Sequence, residues 1–167
     1  LVTINPWRHH SGYSSYNFLI MQVPHWSPEY ETGFPIIDQQ HQEMFKVVSD
    51  LQEAMVRQAE PSYLKHLLQA LLKDTIAHFT LEEDLMQEHG YPSYEEHKQI
   101  HDRLRQKITK VLRRLEAQED VASGNSELSH FLHQWLVHHI QGQDRKMIQF
   151  FRERNIVDLE RVVIFDR

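Results

Sequence analysis

The chain contains no cysteine. That single absence excludes disulfide bridges, thiolate zinc sites, iron–sulfur clusters and a thiol nucleophile together. It fits a reducing compartment, so a cytoplasmic location is the expectation. Glycine is scarce, at five of 167 residues, and four of the six prolines precede residue 36. Most of the chain is therefore free of the residues that interrupt helices. No apolar run approaches the ~20 residues of a membrane-spanning helix. Phe18-Leu19-Ile20-Met21 is too short for the core of a signal peptide and has no small-residue cleavage pattern beside it. Net positive charge is missing too: the formal charge of -6 argues against nucleic acid as a partner.

What is present is an ordinary share of apolar residues, 40%, with 25% charged, enough for one domain with a sizeable core. Histidine is over-supplied, at thirteen. Residues 1–37 hold Pro6, Gly12, Pro24, Pro28, Gly33 and Pro35 without sustained periodicity, and read as an irregular arm. Trp26, Tyr30 and Phe34 are candidates to pack that arm over the end of the domain. Leu1 does not read as a natural start: either a longer chain was trimmed, or residues 1–20 are an extension with Met21 as the original initiator.

Asp38 is a favourable N-cap, and His41, Phe45, Val48, Leu51 and Met55 recur after it at helical spacing. This predicts a first helix to about residue 59. Pro61-Ser62 opens a second, with Leu64, Leu67, Leu68, Leu71, Leu72, Ile76, Phe79 and Leu85 on its apolar side, stopped by Gly90 and Pro92. Ser93-Tyr94-Glu95-Glu96 has the form of a capping box and begins a third, with His97, Ile100, His101, Leu104, Ile108, Val111, Leu112 and Leu115 inward. Its arginines and lysines read as a solvated face. After a polar loop from Gln118 to Asn125, Ser126 caps a fourth helix carrying Leu128, Phe131, Leu132, Trp135, Leu136, His139, Ile140, Met147, Ile148 and Phe150. The expected fold is all-α: an antiparallel up-down-up-down four-helix bundle with an irregular N-terminal arm. Residues 1–23 would be an extension, 24–150 the bundle and 151–167 a tail.

Within that frame His78 and Glu82 stand four apart, so they share one helix face, and so do His97 and His101. Counting rise per residue from the turns places His41 and His78 at a common height, roughly 24–27 Å from the first turn. Glu82 and His97 lie ~10–12 Å from the second turn by the same rise. His101 and His139 fall within about two turns of one another. His41, His78, Glu82, His97, His101, His139 and Asp144 can thus occupy one slab of the core, where buried imidazoles and carboxylates need partners. Metal ligation supplies them. Five imidazoles and two carboxylates are too many for one four-coordinate zinc ion, too poor in oxygen for calcium or magnesium, and suited to two irons bridged by the carboxylates. The set also departs from the Glu-x-x-His repeats of ferritin-like sites. His139 and Asp144, five apart, should not share a face of an ideal helix. Either a π-type distortion, eased by Gly142, brings them together or Asp144 reaches across. His138 is the neighbour that could be mistaken for the ligand. His66, His89, His130 and His133 read as surface or core-edge residues.

These residues resemble the hemerythrin family in its bacterial single-domain form. The matching stretches are Trp26…Tyr30…Gly33…Ile37-Asp38-Gln39-Gln40-His41, His78-Phe79-x-x-Glu82-Glu83-x-Leu85-Met86, Gly90-Tyr91-Pro92, His97-x-x-x-His101 and Trp135-Leu136-x-x-His139-Ile140-x-x-x-Asp144. The resemblance implies one iron on His97, His101 and His139 and another on His41 and His78. Glu82 and Asp144 would bridge them, together with an oxo or hydroxo group, the irons cycling between Fe2+ and Fe3+. It implies reversible O2 binding at the iron with fewer protein ligands, for storage, delivery or scavenging, and not an enzyme's turnover. Phe79, Trp135, Leu136 and Ile140 would line a dry O2 pocket. An O2- or redox-sensing regulatory domain, reporting to a signalling partner through the termini, is the alternative; a di-iron peroxidase or oxidase is a third.

Overall fold

The computed structural model describes residues 25–117 and 125–156. The extension 1–23, the polar loop at 118–124 and residues 157–167 of the expected tail 151–167, with the Val162–Phe165 run, lie outside the described residues, as does the side chain of Ser126. Residues 151–153 of that expected tail continue the last helix, and Phe151 is buried. Four antiparallel helical rods are built from α1 (Pro35–Val56), α2 (Pro61–Glu88), α3 (Tyr94–Glu116) and a composite fourth rod. The fourth runs from α4 (Asn125–His138) through a π-helical segment (His139–Asp144) into α5 (Arg145–Glu153). A single 3-10 turn, Pro28–Tyr30, precedes them. The bundle is the expected one. No helix among the described residues is long and apolar enough to cross a membrane.

Local physics sets each boundary. Pro35 and Pro61 occupy the first turns of α1 and α2, where a missing N–H costs nothing. Helix α1 therefore starts three residues before the expected cap, and Asp38 lies inside its first turn. Its carboxylate accepts from the Thr32 N–H at 2.7 Å, the Thr32 hydroxyl at 2.7 Å and the Gly33 N–H at 3.0 Å. Asp38 ties down the arm; it does not cap its own helix. Ser93 is the N-cap residue of α3 but makes no side-chain capping bond, so the capping box does not form. At the end of α2, Gly90 takes φ +63°, and the Tyr91 N–H reaches back to the Met86 carbonyl at 2.8 Å. This left-handed closure suits glycine. Helix α1 ends the same way with Gln58 at φ 52°, a residue that pays steric strain there.

The inward positions form two apolar clusters. The larger joins Phe45, Val48, Leu51, Leu68, Leu104, Ile108, Leu132 and Leu136 among others. The smaller joins Phe34, Ile37, Leu85, Met86, Tyr91, Met147, Ile148 and Phe151. Among the expected core positions, Leu72, Ile100, Val111, Phe131, Trp135 and Phe150 are half-buried at the edge of the core. Ile76 is 44% exposed, off the inward face that Leu71, Thr75, His78 and Phe79 share. In α5 the fully buried aromatic is Phe151, with Phe150 only half-buried, because the π-helical segment shifts the helical phase ahead of it. The arm is clasped to α5 by Arg145, which donates to the Glu29 carbonyl, and Arg152, which donates to the Thr32 carbonyl.

Candidate metal centre

Each rod contributes to one buried polar slab. Helix α1 places His41, α2 places His78 and Glu82 one turn apart, and α3 places His97 and His101 one turn apart. The π-helical segment places His139 and Asp144. Its i→i+5 pattern brings residues five apart onto one face, so the awkward spacing is resolved by distortion of the helix. A Cβ on Gly142 would meet nothing within 4 Å, and its φ is not left-handed. The bulge has no steric need of that glycine. His138 is exposed, with its Nδ1–H donating to the Gln134 carbonyl, and stands apart from the slab. His66 is exposed, His89 and His133 are half-buried, and the side chain of His130 lies outside the described residues.

Six of the seven candidate side chains have no exposed surface, and His139 has 3%. Their ligand atoms fall into two groups, each within 4.8 Å: Glu82, His97, His101, His139 and Asp144 in one, His41, His78, Glu82 and Asp144 in the other. Glu82 and Asp144 belong to both. Imidazole nitrogens approach one another closely, His41 Nε2 to His78 Nε2 at 3.3 Å and His101 Nε2 to His139 Nε2 at 3.0 Å. Asp144 Oδ1 stands 3.0 Å from His139 Nε2 and 3.2 Å from His97 Nε2, and Oδ2 stands 3.2 Å from His41 Nε2. Glu82 Oε2 stands 3.3 Å from His101 Nε2, 3.5 Å from His97 Nε2 and 3.6 Å from His78 Nε2. Yet no carboxylate oxygen of Glu82 or Asp144 has a partner in hydrogen-bonding geometry. Buried oxygens left so are costly. Two buried carboxylates shared between two sets of imidazole nitrogens are what a metal pair requires.

The electrostatics agree. Burial first, then the neighbouring imidazoles, hold His78 and His101 well below the ordinary histidine range. Burial also brings His139 down to about 4, against the attraction of Asp144. These imidazoles stay neutral and keep a lone pair for a ligand. Burial opposes the charged form of His97 as well, but the Asp144 and Glu82 carboxylates outweigh it and raise its pKa to about 10. Burial, then repulsion from Asp144, raises Glu82 to about 7. Asp144, despite burial, is held well below the carboxylate range by His139, His41 and His97.

Around the slab, Phe79 stacks on His101 at 3.7 Å with an interplanar angle of 7°, and Trp135 stacks on His139 at 4.3 Å and 20°. Leu136 and Ile140 are buried beside them. Trp26, expected only to pack the arm, has its ring 6.4 Å from that of His41. Three further polar residues were missed by the sequence reading: Gln40, Glu83 and Arg105. Gln40 Oε1 accepts from His78 Nδ1–H at 3.1 Å, and Glu83 Oε1 accepts from His101 Nδ1–H at 3.0 Å and from Arg105 at 3.0 Å. Their available signal was adjacency: Gln40 precedes His41 and Glu83 follows Glu82.

Residues 32–151 match the family model described as the hemerythrin HHE cation binding domain. The chain belongs to the hemerythrin family. It is similar to a bacteriohemerythrin of Stenotrophomonas maltophilia, 30% identical over 120 residues that cover 72% of this chain and 76% of that one. A bacteriohemerythrin of Pseudomonas aeruginosa is 30% identical over 127 residues, covering 76% and 80%. The myohemerythrin of Theromyzon tessulatum is 27% identical over 131 residues, covering 77% and 96%. At the level of the family, hemerythrins are di-iron proteins that bind O2 rather than enzymes.

Proposed function

We propose that this hemerythrin binds O2 reversibly, for storage, delivery or scavenging, at two irons held by the seven slab residues. His97, His101 and His139 would hold one iron, and His41 and His78 the other, with Glu82 and Asp144 shared and an oxo or hydroxo group completing the bridge. The observation that carries this reading is the pair of ligand groups sharing those two carboxylates. When bound as a ferrous pair, the irons supply the two electrons that O2 binding draws on. The protein's own contribution is positional and dielectric. Phe79, Leu136 and Ile140, all buried, with Trp135 stacked on His139, would keep water and protons from the O2 pocket. No acid on those four side chains is available to deliver a proton. Exposing the anaerobic ferrous protein to O2 tests the reading: a visible charge-transfer band should appear and fade under vacuum. Irreversible oxidation within seconds would overturn it.

A second reading, a sensing domain, is favoured by the clasped arm. Trp26 lies over His41 while Arg145 and Arg152 hold the same arm to α5, so a change at His41 has a short path to the N-terminal side. Hydrogen exchange of residues 25–34 should then differ between ferrous and oxygenated protein; identical protection would remove this reading.

A further inference from the structure

The two ligand groups are not backed alike. Of the five imidazoles, His78 and His101 have a described partner on the outer ring nitrogen, one in each group, whereas Nδ1 of His41, His97 and His139 has none. Behind His78 stands a neutral amide, Gln40. Behind His101 stands a carboxylate, Glu83, 14% exposed at its side chain and paired at 3.0 Å with Arg105. Arg105 is fixed in turn by Asp102 at 2.5 Å, and its guanidinium lies 5.6 Å from the ring centroid of Phe79. Phe79 is the ring stacked flat on His101. His101 is therefore gripped at its edge by Glu83 and on its face by Phe79, and Arg105 braces both.

The chemistry of the two backings differs. A carboxylate only accepts, so Glu83 fixes the proton of His101 on Nδ1 and leaves Nε2 free for a metal. A Gln amide can accept or donate, so Gln40 permits either tautomer of His78. The negative charge behind His101 also makes that imidazole the stronger electron donor, which favours tight binding and the higher oxidation state. We infer that Glu83, braced by Arg105, is the positioning residue that makes the His97–His101–His139 position the tighter and more readily oxidised of the two. This rests on the two-metal reading of the same slab.

Titration of the metal-free protein with Co2+ alone, followed by its visible bands, tests the inference without O2. Wild-type protein should take up two ions in separable steps, and His78→Ala, which removes a ligand of the other position, should abolish the weaker one. Glu83→Gln keeps the shape and removes the charge. It should weaken the tighter step by about 10–100-fold and leave the weaker step within about twofold. Gln40→Glu should tighten the weaker step. Arg105→Ala should reproduce part of the Glu83→Gln effect, and Arg105→Lys should restore part of it. In the iron-loaded protein, Glu83→Gln should move the first of two one-electron potentials positive and leave the second nearly in place. Equal movement of both steps, or of neither, overturns the inference while the two-metal reading stands. Wild-type protein that never takes a second ion overturns both.

Discussion

The larger apolar cluster and the polar slab occupy one bundle, yet they obey opposite rules. In the cluster, residues such as Leu51, Leu68 and Ile108 are interchangeable in kind, and what matters is filled volume. In the slab, volume is secondary and each atom has a job: a lone pair, a charge or a shared oxygen. The slab lies between the two clusters, so its polar atoms are shielded from water on both sides. Apolar packing supplies the stability that lets unpartnered carboxylates persist.

The largest effect should come from a shared carboxylate. Glu82→Ala should abolish uptake of the second metal ion and the O2-dependent band, as read by metal analysis and visible spectroscopy, while the helical circular dichroism stays. Next, Phe151→Ala should lower the stability of metal-free protein by roughly 3–5 kcal/mol in denaturant titration, with no preference for either metal position. His101→Phe sharpens the contrast from the other side. It extends the stack with Phe79 and removes a polar group, so metal-free stability should hold or rise while metal at that position is lost. The pH dependence is smaller. His97, raised to about 10, carries a proton through the neutral range, and Glu82, raised to about 7, carries part of one. A metal must displace these protons, so uptake should acidify an unbuffered solution, and affinity should climb about tenfold per pH unit for each proton displaced. The smallest effect is remote from the slab: Gln58→Gly relieves the left-handed strain at the end of α1 and should raise the melting temperature, with a gain of about 0.5–1 kcal/mol.

Much of this contrast was written in the chain itself. Apolar spacing located all four rods because the period of a helix face is a property of each segment alone. The seven slab residues followed from height and facing, which need only rise per residue and turn positions. The mismatch of His139 with Asp144 called for either a π-type distortion or a reach across, and the structure takes the first. What could not be read was lateral. Asp38 looked like a cap because its own helix offers N–H groups, but the arm's Thr32 and Gly33 win its carboxylate. Gln40 and Glu83 lie beside ligands on their own helices and act on imidazoles of neighbouring ones, a relation that no single-helix period encodes. Phe151 was passed over for Phe150 because a regular helix was extrapolated through the π-helical segment.

That segment reaches further than the pair it unites. Its surplus residue works as a phase shifter, rotating everything downstream by about a third of a turn relative to an uninterrupted α-helix. Met147, Ile148 and Phe151 close the smaller cluster only in the rotated setting. Forced into a regular α-helix at its full length, the rod would swing Asp144 and that apolar trio off their targets in one stroke, whereas deleting Gln141 would set Asp144 four residues after His139 and leave all of them aligned without the bulge.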